Sequence, residues 1–259
     1  MKLKNNRLDG ILPWVLPVAL IIFWQLASTN EWITSRLFPA PTVIVQTGYE
    51  LLVSGILLHH LGISTYRAIV GLMIGGGLGF ILGLLNGLSP LASKLLDSTI
   101  QMIRNVPHLA LIPLIIIWLG IGETAKLFLV SLGVFFPIYV NTYHGIRTVD
   151  RGLIEMGKVY GLNSWELFKK IILPGALPSI FVGLRYALGL MWLTLIVAET
   201  IASDSGIGYM AMNAREFMQT DVIILSITIY ALLGKLADVL AKIIEEITLK
   251  WHPSYAKKK

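Results

Sequence analysis

Six long apolar stretches alternate with short polar, glycine-bearing or proline-bearing connections along this chain, at residues 11–28, 68–88, 98–119, 125–144, 176–199 and 222–249. A helix needs about 20 consecutive apolar residues to cross the hydrocarbon core of a bilayer, and each stretch is of that order. The pattern predicts an all-α, polytopic membrane protein with six transmembrane helices. No polar segment is long enough to fold separately, so residues 1–259 read as a single transmembrane domain. Pro107 and Pro113 interrupt the third stretch, and prolines inside a span need neighbours to satisfy the carbonyls they free. The sixth stretch outruns a bilayer. Its second half carries Lys235, Asp238, Lys242, Glu245, Glu246 and Lys250, with Asp238/Lys242 and Glu246/Lys250 at the i,i+4 spacing of a solvated helix.

The second stretch holds Gly71, Gly75, Gly79, Gly83 and Gly87, one every fourth residue. On a helix these form one ridge without side chains, against which another helix can pack closely, and close packing is the main basis of helix association in lipid. A glycine-rich phosphate loop would need a following Gly-Lys-Ser/Thr. None follows, so this chain is not expected to be its own ATPase.

Composition agrees with a lipid solvent. The chain is 55% hydrophobic and 14% charged, where soluble domains carry about 25% charged residues. It has no cysteine, which removes disulfides, thiolate metal sites and cysteine nucleophiles. The basic N-terminal residues before the first stretch resemble a secretory leader. However, the stretch is long, contains Pro13 and Pro17 and lacks a small-x-small cleavage site, so a retained first helix is expected.

The net charge of +6 reflects where the basic residues fall rather than a stripe for nucleic acid. With six spans both termini share one side, which then holds Lys2, Lys4, Arg7, Lys94, Arg147, Arg151, Lys158, Lys169, Lys170, Lys250, Lys257, Lys258 and Lys259. The opposite loops and helix ends hold Arg36, Arg67, Lys126 and Arg215. The positive-inside rule makes the first side cytoplasmic. The largest internal cytoplasmic loop is then 145–175.

That loop reads as two short helices joined by an elbow. Asp150 caps the first, which runs through Leu153, Glu155 and Lys158, and Gly161 suits a helix-ending position with positive φ. Asn163 and Glu166 have the spacing of a capping box for a second helix over 164–172. Trp165, Phe168 and Ile172 lie on its apolar face, before Pro174 and Pro178 redirect the chain into the fifth span. By residue pattern alone, this segment fits either a docking lever or an amphipathic helix resting on lipid.

Glu155, then Gly161, then Ile171, Leu173 and Pro174 fall at the spacing of the EAA loop, E-A-A-x3-G-x9-I-x-L-P. Met156 and Gly157 stand at its two alanine positions. In this respect the chain resembles permease subunits of binding-protein-dependent ABC importers. The stretches Phe38-Pro39-Ala40-Pro41, Asn105-Val106-Pro107, Trp118-Leu119-Gly120-Ile121-Gly122, Phe136-Pro137-Ile138 and Trp251-His252-Pro253 are similar to the sulfonate/taurine/nitrate group, most of all to aliphatic-sulfonate permeases.

The resemblance implies a type I ABC importer permease fold. It implies that Glu155, Gly161, Trp165, Phe168, Ile171, Leu173 and Pro174 couple the membrane helices to a separate ATPase. It also implies a homodimer, two cytoplasmic ATP-binding subunits and an extracytoplasmic solute-binding protein, in the cytoplasmic membrane. ATP and Mg would be bound by the ATPase, leaving this chain with no cofactor, no metal and no catalytic residue. Segments 32–62 and 201–221, the latter with Tyr209 and Phe217, are expected faces for the binding protein. A helix is expected near 43–52, and His59-His60 are expected at a wetted helix end.

Polar residues at membrane depth are functional candidates by default. Here they are Arg104, Asn105, His108, Asn141, Thr142, Arg185, Thr194 and Glu199, expected to line a pathway whose cationic character suits an anion. Arg104, Arg185 and Glu199 fit equally well as snorkelling residues near the membrane boundary. Aliphatic sulfonates are the first expectation for the solute; taurine, nitrate or bicarbonate and a thiamine-pyrimidine precursor remain open. An ion-coupled carrier would want midplane carboxylates and an internal repeat, and an intramembrane enzyme would want a metal triad, a Ser/His pair or an Asp pair. Neither pattern is evident in the sequence.

Overall fold

Backbone polar groups in lipid must be satisfied within their own segment, and a helix does this for each apolar stretch. The computed structural model describes residues 7–201 and 203–252, with side chains from residue 12. Lys2, Lys4, Lys257, Lys258, Lys259, Pro253 and the side chain of Arg7 lie outside the described residues. The elements are α1 (Arg7–Thr29), α2 (Pro41–Val53), α3 (Ile56–Leu88), α4 (Pro90–Arg104), α5 (His108–Leu119), α6 (Glu123–Arg147), α7 (Arg151–Val159), α8 (Ser164–Ile201), α9 (Ile207–Glu216) and α10 (Thr220–Thr248). Helices α1, α3, α6, α8 and α10 are long and apolar enough to cross a membrane, and the pair α4–α5 makes a sixth span when taken together.

Three of the expected spans differ from what forms. The second begins at Ile56 rather than at residue 68, because His60, Ser64 and Arg67 find partners inside the fold and do not need a polar loop. Its 33 residues reach about 50 Å, well beyond a bilayer core. The third is not one helix over 98–119: it starts at Pro90 and bends by 80° between Arg104 and His108. There Asn105 and Val106 close a short turn and Pro107 is extended, which continues the disfavouring of helix before a proline. The fifth is continuous from Ser164, so Pro174 and Pro178 do not redirect the chain. A π-turn at Phe168–Ile172 widens the helix next to Pro174, where a normal turn would press the proline ring against a carbonyl.

Helix α6 is the axis of the bundle, with Val130, Val134 and Tyr139 fully enclosed. The glycine ridge of α3 faces it. A Cβ at Gly75 would overlap the backbone of Ser131, one at Gly79 would lie 2.5 Å from the Phe135 carbonyl, and one at Gly87 would lie 2.9 Å from Ile146 Cβ. On the other side of α6, Gly133 meets Thr194, Gly145 meets Ala176 and Gly183 meets Asn141, all from α8 or against it. Near the far end, Asn86 donates to Tyr139 Oη at 2.7 Å and Tyr139 donates to Asp97 at 2.8 Å, linking α3, α6 and α4. Helices α1 and α10 lie at the periphery and turn large apolar side chains outward, among them Leu16, Phe23, Leu232 and Ile244.

A buried polar hub closes the opposite end. Arg67, expected at a helix end, is 1% exposed inside α3. Its guanidinium donates to Glu199 of α8 at 2.8 Å, to the Ser205 carbonyl at 2.6 Å and to Glu123 at the start of α6. Glu199, itself 1% exposed, also accepts from Ser64 and the Gly208 amide at 2.9 Å and from Tyr230 of α10 at 2.8 Å. Gly206 (φ 106°) passes so close that a Cβ would overlap the Glu199 carboxylate. Its amide donates to His60 Nδ1 at 3.0 Å.

Two stability predictions follow from this packing. Gly79→Leu should cost about 3 kcal/mol through overpacking against the Phe135 carbonyl, read as a lowered Tm or lost monodispersity in detergent. Gly77→Ala, with nothing within 4 Å, should leave both unchanged. Glu199→Ala removes one of the two carboxylates on buried Arg67 and the shared acceptor of Ser64, the Gly208 amide and Tyr230, and should cost about 3–5 kcal/mol, whereas Glu50→Ala, at an exposed site, should be nearly silent in the same melt.

Candidate functional site

Local rules shape the segment between α6 and α8. The Asp150 carboxylate accepts from the Gly152 amide at 2.7 Å and starts α7. At its end the Leu162 amide reaches the Gly157 carbonyl and the Gly161 amide reaches the Lys158 carbonyl, both at 3.0 Å. This is a Schellman ending, and it places Gly161 at φ 79°. Asn163 Oδ1 then accepts from the Glu166 amide at 2.9 Å, and Glu166 accepts from the Asn163 amide at 3.2 Å, a capping box that opens α8.

The motif residues divide by task. Gly157, at the second alanine position, is buried where a Cβ would meet Ile171 Cδ1 at 2.6 Å and Leu167 Cδ1 at 2.7 Å. Ile171 and Ile154 extend a small core with Ile146, Val149 and Ala176, which clamps the elbow onto the ends of α6 and α8. Leu173 and Pro174 are half-buried at the start of the straight part of α8. The outer surface is apolar yet uncovered: Val159 is 86% exposed, Tyr160 79% and Trp165 68%, with Trp165 stacked on Phe168 at 5.6 Å and Glu155 exposed beside them. An exposed apolar patch on a rigid elbow, rimmed by Glu155, Lys158 and Lys169, is the kind of surface that marks a protein contact.

The membrane-depth polar residues fall into three groups. Arg104, His108 and Asn141 share one cleft of about 340 Å³ with Gly133, Phe136, Pro137, Val140, Tyr186 and Leu190. Asn105 sits exposed on the turn above it. Thr142 and Thr194 are enclosed, Thr142 against Gly83 and Thr194 against Gly133 with its hydroxyl donating to the Leu190 carbonyl at 2.8 Å. Arg185 and Glu199 are interhelix ties: Arg185 donates to Asp238 at 2.9 Å and reaches Glu245 at 3.4 Å, and Glu199 lies in the hub. Ser64, Arg67, Glu123, Tyr186 and Tyr230 were not among the sequence candidates. The signal for Arg67 and Glu199 was an opposite charge at the end of each of two apolar stretches, and nothing in their spacing pairs them. Helix α2 forms where residues 43–52 predict one. Phe217 and Met218 are exposed after α9, while Tyr209 packs on His60.

Comparisons with known proteins bear on this arrangement. Residues 75–247 match the family described as the binding-protein-dependent transport system inner membrane component. The chain is 60% identical over 245 residues to the aliphatic sulfonates transport permease protein SsuC of Escherichia coli K12, covering 95% of this chain and 93% of that one. It is 45% identical to the protein of the same name in Bacillus subtilis 168, covering 97% and 90%. It is 34% identical to the taurine transport system permease protein TauC of Escherichia coli K12, covering 92% and 88%. Among solved structures, a chain of the inward-facing MetNI methionine ABC transporter superposes with a TM-score of 0.53 at 20% identity, covering 76% of this chain and 98% of that one. The broken third span, the elbow between α6 and α8, and the family match over most of the bundle lead to one assignment: this chain belongs to the inner membrane components of binding-protein-dependent transport systems, the permeases of ABC importers.

Proposed function

We propose that this chain is the membrane half of an ATP-driven importer for small organic anions, aliphatic sulfonates first among them, and that it works as a homodimer with two ATPase subunits on the cytoplasmic side. The observation that carries the solute is the 60% identity, over nearly the whole chain, to a protein named for aliphatic sulfonates transport. Taurine stands second, on the weaker identity to a taurine permease.

The exposed apolar elbow supports the ATP-driven reading. Val159, Tyr160, Trp165 and Phe168 would enter a cleft on the ATPase, where ATP and Mg are bound and hydrolysed, and this chain supplies neither. The elbow is clamped by Gly157, Ile171 and Val149, so a push on it is carried as a rigid displacement and not absorbed locally. Helix α8 continues without a break from the elbow to Glu199. Movement at the ATPase therefore reaches the opposite end of the bundle, the behaviour required of an element with two positions selected by a partner. One elbow per chain and a pair of ATPases favour a two-fold assembly. The charge bias of the loops favours cytoplasmic termini, with α9 and the segment before α3 facing the binding protein.

Two measurements test this reading. Val159→Asp and Tyr160→Asp alter side chains that support no packing. Each should leave the protein folded yet reduce co-purification of the ATPase and sulfonate uptake about tenfold, as expected for a charge placed in an apolar contact. Full retention of both would contradict the docking role. Uptake of a labelled alkanesulfonate should fall when excess unlabelled alkanesulfonate is added and fall less with equal taurine or nitrate; equal competition by nitrate would overturn the solute assignment.

A further inference from the structure

The break between α4 and α5 does more than relieve a proline. It turns the chain by 80° and opens a cleft of about 340 Å³ against α6 and α8. Irregular backbone at membrane depth is tolerated where protein buries it or where it lines a watery cavity, and a volume of that order is enough for a small ligand.

The walls of the cleft divide by chemistry. Arg104 and His108 stand on the two lips of the break, Asn141 comes from α6 and Tyr186 from α8. Phe136, Val140 and Leu190 supply the apolar part. No carboxylate lines the cleft, and among the described residues Arg104 has no ion-pair partner. His108 Nε2 is buried without a hydrogen-bond partner, an unfavourable state until something polar meets it. Asn141 donates one amide hydrogen to the Pro137 carbonyl at 2.9 Å and keeps a second. Arg185, next to Tyr186 on α8, is already held by Asp238.

We propose that this cleft is a solute station on the translocation path, taking the oxyanion head of an alkanesulfonate on Arg104, His108 Nε2 and Asn141, and its aliphatic tail along Phe136, Val140 and Leu190. This rests on the anion-importer reading above and adds to it the residues that hold the cargo. A guanidinium presents parallel N–H groups that match two oxygens of such a head. A single cation with neutral donors binds strongly enough to admit the anion and weakly enough to release it, as passage requires. The break gives Arg104 and His108 separate helices to ride on, so a change in the bend alters their spacing and the grip on the head.

The test uses the whole transporter, permease with its ATPase and binding protein, in liposomes, with labelled alkanesulfonates and ATP hydrolysis measured together. Arg104→Gln should lower uptake about tenfold or more while binding-protein-stimulated hydrolysis persists, since a charged hydrogen bond to the cargo is lost and the coupling elbow is untouched. Arg104→Lys should recover part of the uptake. Val140→Phe shortens the apolar part and should lower the ratio of octanesulfonate to ethanesulfonate uptake about tenfold. If the unmodified transporter carries no sulfonate, the solute assignment fails. If it does, and Arg104→Gln transports as well as the unmodified protein, the station is overturned. Should Arg104→Gln not assemble, an unchanged chain-length ratio in Val140→Phe overturns it instead.

Discussion

The backbone contact between α3 and α6 is the constraint from which the rest of the bundle hangs. Lipid tails are as apolar as leucine, so helices in a membrane gain little from the hydrophobic effect when they meet. What they gain is dispersion and close polar contact, and both require near approach. Five glycines in register bring α3 onto α6 along its whole length. Glycines at 133, 145 and 183 allow α8 the same approach from the other side. With α6 gripped on both flanks, the two charged ties can form: the Arg67–Glu199 hub at one end, and Asn86, Tyr139 and Asp97 toward the other.

The hub is costly in isolation. A buried ion pair often repays its desolvation only when further hydrogen bonds complete it. Glu199 meets that condition with donors from Ser64, Arg67, Gly208 and Tyr230, drawn from three helices, α3, α9 and α10. Such a cluster adds little to stability compared with apolar packing, but it admits one arrangement of α3, α8, α9 and α10. The elbow stands at the other end of α8, so the same helix joins a fixed polar lock to an exposed apolar surface.

What was legible in the sequence was what short-range chemistry decides. Asp150, Gly161 and the Asn163/Glu166 box act within three residues of themselves and form as their spacing predicts. The four-residue glycine repeat is equally local, and its ridge faces a partner helix. Features set by distant partners were hidden. His60, Ser64 and Arg67 look like a polar connection until Gly206, Glu199 and Glu123 are placed beside them, which is why α3 begins earlier than its apolar run. Pro174 and Pro178 suggest a redirected chain because the π-turn that accommodates the first of them has no sequence signature. Arg104, His108 and Asn141 could be named one by one as candidates. Their meeting depends on an 80° bend whose size no pattern of prolines specifies.

The interlock of α3 with α6 also limits how the protein can move. Glycine hollows spaced four residues apart recur about every 6 Å along the axis, and any smaller slide would drive a Cβ-bearing position into backbone. These two helices, with α8 wedged against them, therefore travel as one plate without internal shear. Opening and closing of a passage must then be carried by the parts outside that plate, the bent pair α4–α5 above all.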